Sequence, residues 1–192
     1  MLSKIISEGQ IESLYPIKIR KLSNTHWTPA DIAKKAIEFL TEGGRKSVLD
    51  LGSGSGKFCI IASASSDAEI VGVEQRENLV HLSRKIANIL QLENVRFIHA
   101  DLLNVNFNDY DSFYFFNVFE ELINSKDKLD KSQVLDENTR EQNIQVIKLK
   151  FHEKCIGTRI VTYCGENEEI PNSFRLLKSE NKGNLKFWEK FC

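Results

Sequence analysis

From residue 28 onward two hydrophobic periods take turns along the chain. Stretches with an apolar residue every third or fourth position alternate with short apolar runs bounded by turn residues. That alternation predicts helices laid between the buried strands of a largely parallel sheet. Ile32, Ala33, Ala36, Ile37 and Leu40 sit at helical spacing, with Thr28 as the expected N-cap, Pro29 at the first helical position and Gly43-Gly44 as the stop. Strands are expected at 48–51, 69–74, 95–100, 112–119 and 158–164. Helices are expected to open at Phe58, to span 76–90 with Leu79, Leu82, Ile86 and Ile89 or Leu90 inward, and to span 137–155 with Ile144, Ile147, Phe151 and Cys155 on one face. Residues 174–178 and 185–191 read as a terminal hairpin around a turn rich in Asn and Gly.

Two stretches break the alternation. In residues 1–27, Ile5, Ile6, Ile11, Leu14 and Ile17 line a short helix that Tyr15-Pro16 interrupts, which predicts an arm packed on the domain or over its pocket. Residues 124–136, NSKDKLDKSQVLD, are polar and aperiodic, long enough for a lid or substrate loop.

Composition narrows the class. A chain of 192 residues, 41% hydrophobic and 28% charged, suits one globular domain: an arm over 1–27 and a core over 28–192. The formal net charge of −1 argues against a nucleic-acid partner. No apolar run approaches membrane-spanning length and no leader pattern opens the chain, so a cytoplasmic location is expected. The four cysteines, Cys59, Cys155, Cys164 and Cys192, lack metal-ligand spacing and read as reduced thiols; no metal is expected.

The chemistry concentrates at residues 48–58, VLDLGSGSGKF. A strand ends in an acid, Asp50, a turn carries Gly52, Gly54 and Gly56, and a helix follows. Glycine accepts positive φ and keeps no Cβ between backbone and ligand. The next helix then aims free N–H groups at whatever binds. The spacing is G-x-G-x-G, not G-x-G-x-x-G, and Lys57 is followed by Phe58, so neither a dinucleotide fingerprint nor a P-loop is present. Asp50 would repel a pyrophosphate and suits a ligand bearing an amino group. Glu74 ends the second strand 18 residues beyond Gly56, where an acid is placed to hold ribose hydroxyls. Asp101 and Leu102 follow the third strand, and Asn117 interrupts the fourth, with Glu120 and Glu121 after it.

This series resembles the motifs of class I S-adenosylmethionine-dependent methyltransferases. The resemblance implies a Rossmann-like α/β fold: a seven-stranded, mostly parallel sheet of order 3-2-1-4-5-7-6, strand 7 antiparallel, with helices on both faces. It implies S-adenosyl-L-methionine as cofactor and S-adenosyl-L-homocysteine as product. On it, Asp50 receives the methionine amino group, and Gly52, Ser53, Gly54 and Gly56 form the floor. Glu74 and Gln75 serve the ribose and adenine, Asp101 and Leu102 the adenine. Thr28 reaches the methionine end. Asn117, a candidate catalytic residue, orients the acceptor or the amine, and Glu120, the other candidate, and Glu121 after it are placed to orient or deprotonate an acceptor. The motif lacks the proline that follows such an Asn in amino-methylating relatives, since Val118 stands there. The acceptor expected is a small molecule or a protein side chain; the alternatives are a non-catalytic binding subunit of the same fold and an RNA or DNA methyltransferase. A short-chain dehydrogenase would need Tyr-x-x-x-Lys, and the four tyrosines are followed at that spacing by Ile19, Tyr114, Val118 and Asn167.

Overall fold

The structure is a computed structural model that describes residues 7–21, 27–116 and 137–192. Seven strands form one sheet: β1 (Ser47–Leu51), β2 (Glu69–Glu74), β3 (Val95–His99), β4 (Ser112–Phe115), β5 (Arg159–Tyr163), β6 (Phe174–Glu180) and β7 (Leu185–Lys190). The order is β3-β2-β1-β4-β5-β7-β6, as expected from the motifs. β1 to β5 pair in parallel, and β7 runs antiparallel between β5 and β6. The helices are α1 (Glu8–Ser13), α2 (Ile17–Arg20), α3 (Ala30–Thr41), α4 (Lys57–Ser65), α5 (Glu77–Leu90) and α6 (Glu137–His152).

Strand alternation divides the core. Val48, Ile70 and Tyr114 face a layer built from the arm, α3, α4 and α5, where Ile11, Tyr15, Trp27, Ile37, Ile60 and Leu79 are buried. Leu49, Leu51, Val71, Val73, Phe113 and Phe115 face the other way, against Ile144, Ile147 and Phe151 of α6. With both faces covered, β1, β2 and β4 need near-continuous apolar runs, which is why those runs were legible. Asp50 lies in register with Gly72 and Tyr114 on its neighbours, so the acid stands at the sheet's centre.

Several expectations are corrected. Thr28 does not cap α3: Pro29 holds the cap position without a side-chain bond, and the Thr28 hydroxyl instead shares a 2.8 Å hydrogen bond with the Tyr114 hydroxyl. Buried threonine finds its partner across the core rather than in its own helix. α6 stops at His152, so Cys155 falls in the following turn and is exposed. On α5 the open choice between Ile89 and Leu90 falls, within that expectation, to Leu90, half-buried against the core, with Ile89 exposed at 54%. β6 continues to Glu180, accommodating Leu177 through a register shift between Leu176 and Lys178. The segment 124–136, and the expected continuation of β4 through 117–119, lie outside the described residues.

The arm is docked. Ser7 and Gln10 cap α1 reciprocally, and Ile11, Tyr15 and Ile19 are buried. Its anchor is Lys57, the first residue of α4, whose Nζ lies 2.6 Å from Glu8 and 2.7 Å from Glu12. A lysine at a helix N-terminus opposes the helix dipole. Two carboxylates from the arm offset that, and Glu8 also accepts from the backbone N–H of Ala30 at 3.1 Å.

Candidate active site

The turn after β1 is shaped by positive φ at Gly52 (74°), Gly54 (54°) and Gly56 (80°). A Cβ at any of the three would strain the backbone. The loop is tied down by Ser53 N–H to Val73 O and Gly56 N–H to Ser53 O, both 2.8 Å. Gly56 serves packing more than ligand access: a Cβ there would stand 2.7 Å from the Phe97 ring and 2.7 Å from Ser83 Oγ. Gly72 was not singled out from the sequence, yet its absent Cβ would lie 2.8 Å from both Phe97 and Ser53. It resembled an ordinary strand residue because the restriction comes from β3 and the turn, not from neighbours in the chain.

The two predicted acids close the ends of adjacent strands, and each is 3% exposed. Glu74 is filled with donors. Its Oε2 accepts from Gly54 N–H at 2.9 Å, and its Oε1 from Arg76 N–H at 2.9 Å. The Arg76 guanidinium completes the set, with Nε at 2.8 Å and a terminal nitrogen at 3.0 Å. Asp50 accepts a 3.1 Å bond from the Cys59 thiol. Burial pushes its pKa up to about 7, the Cys59 bond opposes that and the Glu74 charge adds to it. Burial likewise holds the Cys59 thiol well above its usual range.

Around this pair the arm and α3 build one wall. Trp27 donates from Nε1 to Ser55 Oγ at 2.9 Å, and Lys57 Nζ stands 4.7 Å from the Trp27 ring centre. Tyr114, bonded to Thr28, stacks on Phe58 with centroids 3.7 Å apart. Thr28 is thereby committed to the protein. On the opposite side, the Gln75 carbonyl bonds His99 Nε2 at 3.0 Å. Asp101 is exposed and caps the short turn Leu102–Asn104 by accepting from Leu103 N–H at 2.9 Å. Leu102 is half-buried against the core. Asn117, Glu120 and Glu121 lie outside the described residues. A further acid, Glu169, was missed: it sits in the loop leaving β5, where burial raises its pKa to about 7. Nothing in its local sequence, an acidic loop, signals burial. Among the described residues no cluster of three His, Cys, Asp or Glu groups is arranged to hold a metal ion.

A seven-stranded sheet of this order, with a glycine turn flanked by acids ending β1 and β2, defines a class I, Rossmann-like methyltransferase domain. The family described as methyltransferase domain matches residues 42–189, and the chain belongs to it. The family's methyl donor is S-adenosyl-L-methionine. Similar proteins include a release factor glutamine methyltransferase of Buchnera aphidicola, 34% identical over 70 residues, which are 36% of this chain and 25% of that protein. Another is the 23S rRNA (uracil(1939)-C(5))-methyltransferase RlmD of Shewanella sediminis, 38% identical over 71 residues, 37% of this chain and 16% of that one. The matches therefore span a quarter or less of these relatives' lengths. Among solved structures, an RNA methyltransferase from Salinibacter ruber in complex with S-adenosyl-L-homocysteine shares the fold with a TM-score of 0.57, at 20% identity over 85% of this chain and 91% of that chain.

The residues present fit an S-adenosylmethionine group. Gly52 and Gly54 take positive φ and place no Cβ in the turn, and among the described residues Ser53 Oγ is buried with no hydrogen-bond partner. Asp50 is a buried acid with no cation bonded to it among the described residues. Glu74 fits once its Arg76 guanidinium exchanges for hydroxyls, since the carboxylate has about four lone-pair sites and all are filled.

Proposed function

We propose that this domain transfers the methyl group of S-adenosyl-L-methionine to an acceptor that is a small molecule or a protein side chain. The observation that carries it is the pair of buried acids, Asp50 and Glu74, ending adjacent strands on either side of the Gly52–Gly54 floor in a methyltransferase-family chain. The bound cofactor would supply an already activated sulfonium methyl. The chain's residues then have mainly to position. Asp50 receives the amino group, Glu74 the ribose hydroxyls, the Gly52, Ser53 and Gly54 backbone the methionine stem, and Gln75, Asp101 and Leu102 the adenine side. Asn117 and Glu120, which follow β4 in the chain, are assigned to the acceptor, Asn117 to hold it and Glu120 to take its proton where the acceptor starts protonated. Thr28, bonded to Tyr114, acts on the cofactor through that wall rather than by contact.

The protein acceptor is favoured by the release-factor relative's name and by the net charge of −1. The rRNA methyltransferase relative supports a second reading, an RNA base. Calorimetric titration with S-adenosyl-L-homocysteine, with NADH as control, tests the donor: binding of the first alone is expected. Incubation with methyl-labelled donor and separate protein, RNA and small-metabolite fractions tests the acceptor. Donor binding with no transfer to any fraction would instead identify a non-catalytic subunit.

A further inference from the structure

One buried hydroxyl of the arm has no hydrogen-bond partner among the described residues. Tyr15 is 2% exposed, and its hydroxyl is unsatisfied. The ring is fixed 4.7 Å from Trp27, which is itself bonded to Ser55 in the glycine turn. The arm holding it is clamped on Lys57, so the phenol is kept in place by three separate attachments. Its charge neighbours are Cys59 and Glu12, and Cys59 is the residue bonded to Asp50. Burial raises the phenol's pKa, so it stays a donor. Leaving such a donor unpaired costs free energy comparable to a lost hydrogen bond.

We propose that Tyr15 is a cofactor-positioning residue: its hydroxyl donates to the carboxylate of the cofactor's methionine end while Asp50 takes the ammonium. The inference rests on the donor reading above. An amino-acid end is a zwitterion, and Tyr15 and Asp50, which share Cys59 as a neighbour, are the two matching groups: a buried O–H donor and an acid with no cation bonded to it among the described residues. A neutral ligand end would leave Asp50 unpaired, and a purely cationic one would leave the Tyr15 donor idle. The arm then has a defined function: it delivers the hydroxyl.

Tyr15→Phe keeps the ring against Trp27 and removes only the oxygen. Three ligands report on it: S-adenosyl-L-homocysteine, its decarboxylated analogue, which keeps the amine, and 5′-methylthioadenosine, which has no amino-acid end. The variant is expected to lose about tenfold in affinity for the first, the scale of a hydrogen bond to a charged group, and to bind the other two like wild type. In the wild type the decarboxylated analogue should already bind about tenfold more weakly than the homocysteine. The melting temperature of the ligand-free variant should stay level or rise, because an unsatisfied group is gone. An equal loss for all three ligands would assign Tyr15 a merely structural role and overturn the inference. So would unchanged affinity for all three, which a trapped water on the hydroxyl would produce. Equal wild-type affinity for the homocysteine and its decarboxylated analogue would overturn it without any variant. Wild-type binding of none of the ligands overturns the donor reading itself and this inference with it.

Discussion

The carboxyl ends of β1 and β2 carry the same kind of group, equally buried, with opposite provision of hydrogen-bond donors. Glu74 is surrounded by four donors and a full guanidinium charge. Asp50 has one thiol, and burial carries its pKa to about 7. Two equally buried carboxyls thus differ in the number of N–H groups aimed at them. Glu74 faces a backbone turn that supplies donors, whereas Asp50 meets α4, where the Cys59 thiol bonds it. One acid is filled with donors by the protein itself, and the other, among the described residues, has the Cys59 thiol.

The largest effect should come from removing the satisfied acid. Glu74→Ala leaves the Gly54 N–H and the Arg76 guanidinium without their carboxylate. It should weaken S-adenosyl-L-homocysteine binding by tenfold or more, about 1.4 kcal/mol, by calorimetry, and destabilise the fold by roughly 1–3 kcal/mol by denaturant titration. Unchanged affinity in a folded variant would remove Glu74 from the site.

Asp50 should reveal itself through pH. Its folded pKa is raised from 3.8 to about 7, so the folded state holds the proton that the unfolded chain releases. Stability should then fall as pH rises from the unfolded value through about 7 and level off above it. Glu169 titrates in the same window with the same sign, so the difference between wild type and Asp50→Asn isolates the β1 acid. That variant should have a flatter melting-temperature profile between roughly pH 5 and pH 8. If Asp50 pairs with the methionine ammonium, wild-type affinity should also rise over this range and the variant's should not.

Arg76→Ala sharpens the contrast. It frees the Glu74 carboxylate, which otherwise must exchange its guanidinium for ribose hydroxyls, so homocysteine affinity should increase about threefold to fivefold, the gain expected when a competing occupied state is removed. A decrease would mean that the guanidinium orients the acid rather than blocking it. Smallest is Cys59→Ala. The thiol bond lowers the Asp50 pKa, so its loss should move the Asp50 pH midpoint slightly upward while the fold stays intact.

How much of this was legible follows from where each constraint originates. The glycine turn, Asp50 and Glu74 lie within one βαβ unit, so their spacing in the chain is their spacing in space. Strand order followed from the motif series and the terminal hairpin. What escaped was set by distant partners. Thr28 looked like a cap because its sequence neighbours are those of a helix start, but Tyr114, 86 residues away, claims it. Gly72 is required by Phe97 and Ser53. Lys57 entered the sequence reading only as a mismatch to a P-loop, with no partner in view, whereas Glu8 and Glu12, 49 and 45 residues earlier, hold it. Asp101, read as an adenine contact, caps its own turn in this structure, a role equally available to any Asp at a strand end.

The clamp on Lys57 also fixes a sequence of events during synthesis. α1 leaves the ribosome before α4, and its two carboxylates do not meet Lys57 until that residue, at the end of the turn that leaves β1, has been made. β1 in turn lies between β2 and β4, so its frame waits for residues 69–74 and 112–115. The arm, made before the core, is thus among the later segments to dock, and its wall is completed only when the central sheet exists.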